Sequence, residues 1–116
     1  MTKCIERNKG FLKSLGQLAT GRRKKLIKKA SRDNIDALSE VALNTLLGNV
    51  PLNSLHKQKL KRHRTNIRHL AKKGVSLKKK KEFLVQKGGF LPLLIPPVLS
   101  MLAGLAANAV SHVVGL

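Results

Sequence analysis

The chain has 116 residues, enough for one small domain and a tail. It carries 24 Lys and Arg against five Asp and Glu, so its net charge is +19. This balance predicts binding to polyanions, either nucleic acid or an anionic membrane surface. Trp and Tyr are absent, so base stacking on aromatic side chains is not the predicted mode of binding. One cysteine excludes a disulfide within the chain.

The patterns that mark catalytic and metal sites are missing from the sequence. No Gly-rich phosphate loop precedes a helix, and one cysteine with four scattered histidines does not supply the spacing of a metal site. The five carboxylates offer no acid–base pair. We therefore expect a protein that is not an enzyme and that uses no cofactor or metal. No signal peptide is expected, because the first ten residues lack an apolar run.

Residues 1–30 are predicted to form a basic arm. Residues 22–29 contain six cations among eight residues, which indicates a phosphate-binding arm or a nuclear localisation signal. Apolar residues at helical spacing allow one short amphipathic helix within the arm. These residues are Phe11, Leu12, Leu15 and Leu18.

Residues 31–87 are predicted to form a small basic bundle of two or three helices. Apolar residues at helical spacing predict helices over about 33–47, 54–73 and 77–86. The Gly-Asn-Val-Pro turn at 48–51 separates the first two helices. Their apolar stripes should face each other across that turn. The stripes consist of Ile35, Leu38, Ala42 and Leu46 in the first helix and of Leu60, Ile67 and Leu70 in the second.

Short polar side chains stand where the helices are predicted to begin and can cap the free N–H groups of the first turn. The candidates are Ser31, Asp33 or Asn34 for the first helix and Asn53 or Ser54 for the second. His56 and His63 fall on the apolar side of the second helix, and His69 falls among its cations. The histidines are interpreted as boundary residues, with a pH switch as the alternative.

The tail carries no charged side chain from residue 88 to residue 116. Pro92, Pro96 and Pro97 predict that residues 88–97 form a hinge rather than a regular helix. Pro97 can then begin an apolar helix over 98–116. About 20 residues of helix span about 30 Å, the thickness of the hydrocarbon core of a bilayer. The sequence leaves open whether this helix enters lipid or packs on protein.

Cations of the arm, of the polar side of the second helix and of the third helix are the candidate contacts to nucleic-acid phosphates. They are Arg22, Arg23, Lys24, Lys25, Lys28, Lys29, Lys57, Lys61, Arg62, Arg64, Arg68, Lys72, Lys78, Lys79, Lys80 and Lys81.

The start of the tail, GGFLPLLIP at residues 88–96, resembles the C-terminal segment of the adenovirus core protein X family, the precursors of the mu peptide. That family has a very basic N-terminal part, then Gly-Gly, an apolar residue, Leu-Pro and a hydrophobic tail of small residues. The short basic proteins of the Polinton (Maverick) and adintovirus group look closer still, over roughly residues 35–100. They share the Gly-Asn-Val-Pro-Leu turn, the Lys-rich segment and the Gly-Gly-Phe-Leu-Pro junction.

The resemblance implies a virion core protein that binds and condenses viral double-stranded DNA without sequence specificity, in the virion and the host nucleus. It also implies cutting by a viral cysteine protease after Gly89, which makes Gly88, Gly89 and Phe90 the candidate cleavage site. Gln86 stands where the family's cleavage pattern has Met, Leu or Ile. The basic part here is Lys-rich, whereas the family's mature peptide is Arg-rich. The resemblance therefore implies DNA condensation as a kind of activity and does not assign it to particular residues.

The tail is expected to dock to capsid proteins or to a membrane. The sequence leaves the oligomeric state of the protein open. The candidate docking residues are Phe90, Leu91, Leu93, Leu94, Ile95, Val98, Leu99, Leu102 and Leu105. A membrane-active capsid protein that acts during host entry is the alternative function, since an apolar segment beside a polybasic one also suits anionic lipid. The uncharged tail disfavours a third option, a basic protein bound to the ribosome or to RNA.

Overall fold

The computed structural model describes residues 3–102, and all regular structure within this range is helical. The helices are α1 (Lys3–Arg7), α2 (Lys9–Gln17), α3 (Thr20–Lys29), α4 (Arg32–Leu46), α5 (Ser54–Lys61), α6 (Arg64–Ala71), α7 (Leu77–Lys87) and α8 (Leu91–Leu102). A short 3-10 turn, Gly88–Phe90, joins α7 to α8. The all-α class is as predicted. The described part of the chain has more helices than the predicted bundle of two or three.

One hydrophobic core takes side chains from each of these helices. A core that draws on every helix makes residues 3–102 a single packed unit, because no helix buries its apolar side alone. The side chains that are at most 1% exposed include Ile5, Leu12, Leu15, Ile27, Leu38, Val41, Leu60, Ile67, Leu70, Leu84, Leu94, Ile95 and Val98.

The pairing of α4 with α6 matches the hairpin predicted from the two apolar stripes. Ser31 begins α4 with a reciprocal capping box: its hydroxyl accepts from the Asn34 N–H at 3.1 Å, and the Asn34 side chain accepts from the Ser31 N–H at 3.0 Å. α4 then packs on α6, with Leu38 and Ile67 fully buried between them. The pairing agrees with the predicted facing of the stripes for Ile67 and Leu70 of α6, whereas Leu60 lies in α5, which contacts α8.

The second predicted helix is two helices, because the backbone breaks between α5 and α6. Asn53 caps α5 by accepting from the His56 N–H at 2.8 Å. His63 leaves helical geometry, with φ −108° and ψ 14°. The break allows α5 to contact α8 while α6 lies on α4. Neither Gly nor Pro marks this position in the sequence.

The predicted basic arm is folded into the core, so that prediction is corrected for residues 3–30. The short amphipathic helix expected there is present as α2, with Leu12 and Leu15 buried. α1 contacts α4, α2 contacts α8 and α3 contacts α7. Ile27 is fully buried although it lies within the run of cations. This region has enough apolar residues to pack in the core, although its high charge favours the prediction of an exposed arm.

The predicted hinge at 88–97 is helical instead. Pro92 lies in the first turn of α8, where backbone N–H groups have no hydrogen-bond partner within the helix. Pro96 and Pro97 lie inside the helix, where such partners are normally required. Pro97 has no N–H to donate to the carbonyl of Leu93, four residues earlier. The His56 Nε2 donates to that carbonyl at 2.6 Å and satisfies it.

α8 packs on α2 beside Gly16. A Cβ at Gly16 would lie 3.4 Å from the Ile95 Cγ2, at the tight limit of ordinary contact. The N-terminal and C-terminal parts of the described chain therefore share one interface. The remainder of the apolar helix predicted over 98–116, with the candidate docking residue Leu105, lies outside the described residues beyond Leu102.

Candidate nucleic-acid interface

Cations from distant parts of the sequence lie on three neighbouring helices. α7 contacts both α3 and α6. On the α6 side, the His69 ring stacks on the Phe83 ring with centroids 4.1 Å apart. On the α3 side, the Lys81 Nζ donates to the Lys28 carbonyl at 3.0 Å. The cations beside these contacts form a surface that we call the basic face: Lys24, Lys28, Arg68, Lys72, Lys78, Lys79 and Lys81.

A groove runs between α3 and α7 along the basic face. Its volume is about 450 Å³, and Lys28, Lys78 and Lys81 line it above the apolar Leu77 and Val85. A smaller cavity of about 210 Å³ continues beside Lys24 at the other end of the two helices. Lysine ammonium groups on flexible stems can reach phosphate oxygens at different positions along a nucleic-acid backbone.

Glu82 is the acidic residue that lines this groove. Of the other four carboxylates, Asp33, Asp36 and Glu40 lie together at a separate cavity on α4. Negative charge is thus concentrated at that second cavity, which Lys73 and Lys80 also line, and Glu82 is the one carboxylate of the groove. The resulting field around α3 and α7 attracts anions.

Two of the predicted phosphate contacts are buried and are corrected here. Arg23 is 7% exposed, and its guanidinium donates to the Thr20 hydroxyl at 3.4 Å. Lys80 is 6% exposed, and its Nζ donates to the Ser39 hydroxyl. Burial lowers the pKa of Lys80, and the nearby Asp36 carboxylate opposes this shift. Four successive lysines point to all sides of α7, so one of them must face the core.

The remaining predicted cations lie on the surface but outside the basic face. At 100° per residue, Arg22, Lys25 and Lys29 of α3 point away from α7. On α6, Arg64 shares a side with Arg68 but lies one turn farther along the helix from the contact of His69 with α7. The others belong to α5 and to the turn that follows it. These residues are Arg22, Lys25, Lys29, Lys57, Lys61, Arg62 and Arg64.

The Gly-Gly junction is a short 3-10 turn whose neighbours pack in the core, rather than an extended linker. Gly88 is buried and Gly89 is exposed, while Phe90 is 1% exposed. The Phe90 ring centroid lies 6.3 Å from that of His63 and 6.3 Å from that of Phe83. Proteases cut exposed, flexible segments. The folded chain does not present the bond after Gly89 as such a segment, contrary to our expectation of an accessible hinge.

Most of the predicted docking residues are also in the core. Phe90, Leu91, Leu94, Ile95 and Val98 are at most 1% exposed and pack on the other helices. The half-buried ones are Leu93, Leu99 and Leu102. By length and composition alone, Leu77–Leu102 is the single stretch of helix within the described residues that could cross a bilayer. Its most apolar window is 39% buried inside the fold.

A polar cluster fixes α1 and α2 to the start of α4. The Arg7 guanidinium and the Asp33 carboxylate lie 3.0 Å apart, the one ion pair within residues 3–102. The Asn8 side chain donates to the same carboxylate at 2.9 Å, and these two bonds hold the pKa of Asp33 below its ordinary value. Burial and the Asp33 charge raise the pKa of the Cys4 thiol. In the described residues, no three His, Cys, Asp or Glu side chains are placed to share a metal ion.

The sequence did not predict the juxtaposition of α3 and α7 or the stacked pair of His69 and Phe83. Both depend on contacts between residues far apart in the chain, such as Lys28 and Lys81. The only local indication of the basic face was the spacing of Lys24 and Lys28, which are four residues apart and so lie on one side of a helix. The sequence places His69 among cations and gives no indication of its contact with Phe83.

Comparison with known proteins adds no family. No protein-family model matches the chain, and no curated protein or solved structure is significantly similar to it.

Proposed function

We propose that this protein binds double-stranded DNA without sequence specificity and condenses it as a virion core protein, with the basic face as the principal contact. The observation that supports this function most directly is the convergence of cations from α3, α6 and α7 beside a single carboxylate, Glu82. Lysine neutralises phosphates whatever the bases are, and the released counterions drive binding. The net charge of +19 allows one molecule to neutralise many phosphates, which condensation requires.

The assignment to a virion and to the host nucleus relies on the resemblance of residues 88–96 to the adenovirus core protein X family. In this proposal the protein acts by binding alone, without catalysis or a cofactor. Residues beyond 102 hold it to capsid proteins. Cutting by a viral cysteine protease after Gly89 requires the α7–α8 junction to open first, because Phe90 is buried in the core.

The test uses two pairs of exposed lysines that carry the same charge. The double variant Lys28→Gln with Lys78→Gln removes two cations from the basic face, and Lys9→Gln with Lys13→Gln removes two from α2. Binding of the full chain to a fluorescent DNA duplex is measured by anisotropy between 50 and 200 mM salt, roughly the range over which counterion release is most informative. Each lost phosphate contact should lower the slope of log K against log salt by about 0.9.

We expect the basic-face pair to reduce the slope and the α2 pair to leave it unchanged. Equal losses for the two pairs would show that net charge, rather than this surface, determines binding. A second duplex of unrelated sequence tests specificity: a preference of more than about a hundredfold would contradict a condensing protein. Light scattering at rising protein concentration then reports condensation, and its absence at charge neutrality would contradict that part of the proposal.

A further inference from the structure

A small cavity at the start of α3 contains a buried positive charge. The cavity has a volume of about 210 Å³ and lies between the first turns of α3 and the end of α7. Arg23 lines it and is 7% exposed. Thr20 and Lys24, which line it from the same helix, are exposed, so solvent reaches the cavity from that side.

The charge of Arg23 has no carboxylate partner within residues 3–102. All five Asp and Glu side chains lie in that range, and Asp33 is the one among them that pairs with a cation there. In the described part of the chain, the Arg23 guanidinium makes one hydrogen bond, to the Thr20 hydroxyl at 3.4 Å, although it carries five N–H donors. A buried charge is costly unless an opposite charge and hydrogen bonds compensate it. The guanidinium therefore has unused capacity to bind an anion.

The first turn of α3 is a second feature that favours an anion at this cavity. Ala19 precedes the helix and provides no side-chain cap, so the first N–H groups of α3 have no partner within the helix. The N-terminal end of a helix carries the positive end of its dipole and is suited to phosphate groups. The Thr20 hydroxyl, which can donate as well as accept, lines the same cavity.

The charges and the size of the cavity indicate which anion fits. Arg23 and Lys24 supply two positive charges, which match a phosphate monoester of about −1.5 to −2 at pH 7 better than a carboxylate of single charge. The planar guanidinium can bind two phosphate oxygens at once. At about 30 Å³ for each water, the cavity has the volume of roughly seven waters, enough for a phosphate group. Arg23 is too deeply buried to contact the backbone of a duplex on the surface, whereas a small molecule can enter the cavity.

We propose that this cavity binds the phosphate group of a small molecule, either inorganic phosphate or a mononucleotide, through the Arg23 guanidinium, the Thr20 hydroxyl and the Lys24 ammonium group. The bound phosphate neutralises the buried charge and connects α3 with the turn at Gly88 and Gly89, which also lines the cavity. This site goes beyond DNA binding and does not depend on it, because Arg23 and Thr20 are not part of the basic face.

The experiment measures the melting temperature of the full chain while inorganic phosphate is titrated, with sodium chloride of equal ionic strength as the reference. Phosphate at about ten times its apparent dissociation constant should raise the melting temperature by about 5–10 °C. Arg23→Met should abolish this shift. Without phosphate, this variant should melt at the same temperature as the unmodified chain or higher, because it no longer buries an uncompensated charge. The matched control Arg22→Met removes an exposed arginine from the same helix and should keep the shift.

Two milder variants test the same site and carry the decision if circular dichroism shows that Arg23→Met does not fold. Thr20→Val removes the hydroxyl, and Arg23→Lys keeps the charge without the planar guanidinium, so each should weaken phosphate binding about tenfold or more. Undiminished phosphate binding in these variants, or a shift that chloride reproduces, would overturn the proposal in favour of unspecific charge attraction.

Adenosine monophosphate is titrated in parallel to identify the source of the phosphate group. Tighter binding than that of inorganic phosphate would assign the site to a nucleotide, and equal or weaker binding would assign it to phosphate itself. DNA binding is measured on every variant and should be retained by Thr20→Val and Arg23→Lys. Failure of this proposal is therefore distinguishable from failure of the proposed function.

Discussion

A chain that ends at Gly89 lacks five side chains of the core, and we expect it not to fold. Phe90, Leu91, Leu94, Ile95 and Val98 are each at most 1% exposed in the intact protein. Burial of a large apolar side chain stabilises a fold by about 1.5–3 kcal/mol, so the five together contribute roughly 7–15 kcal/mol. The whole stability of a small domain is about 5–15 kcal/mol.

The fragment of residues 1–89 no longer has to order residues 90–102, which offsets part of this loss. However, the apolar sides of α2, α4 and α5 that face α8 lose their cover at the same time. We therefore expect the fragment to lose most of its helical circular dichroism and its cooperative thermal transition. A chain ending at Leu102 is the control and should melt close to the full protein. Cooperative melting of the fragment within a few degrees of that control would refute this account of the core.

Two further predictions concern single side chains. His56→Ala leaves the Leu93 carbonyl unpaired and should cost about 1 kcal/mol in chemical denaturation, while His56→Gln, which keeps a donor, should recover part of it; equal stability of all three proteins would contradict this role. Gly74 has φ +80°, so Gly74→Ala should destabilise the protein by about 1 kcal/mol. Gly21 lies inside α3 with open space around a Cβ, so Gly21→Ala should stabilise it by about 0.5–1 kcal/mol. A change of the same sign in the free energy of unfolding for both glycine variants would refute the reasoning.

Short sequence patterns predicted the helix caps, the apolar stripes and the glycine that follows the second predicted helix. Ser31 and Asn53 cap α4 and α5 as their side chains indicated, and the apolar stripes of α4 and α6 pack on each other. Gly74, at the predicted end of the second helix, has positive φ. For the caps and for Gly74, the residues that determine the geometry lie within one or two helical turns of it, and the apolar stripes are themselves local patterns.

Contacts between distant residues determined the features that the sequence did not predict. Prolines at 96 and 97 normally end a helix, but the Leu93 carbonyl is paired by His56, 37 residues away in the chain. The run of cations at 22–29 indicates a phosphate-binding arm or a nuclear localisation signal in the sequence, whereas Arg23 and Ile27 are buried in the structure. The basic face itself depends on the packing of α3 on α7, which no local pattern specifies.

The contact between α2 and α8 has a consequence for folding during synthesis. Ribosomes make proteins from the N-terminus. The apolar side of α2 is therefore synthesised well before α8, the helix on which it mainly packs. Until α8 has emerged, α2 can contact α1 and α4 but lacks its most extensive partner, and the nascent chain is both strongly cationic and partly apolar. Contacts this distant in sequence also slow folding. We therefore expect the chain to complete its core only after α8 has been synthesised.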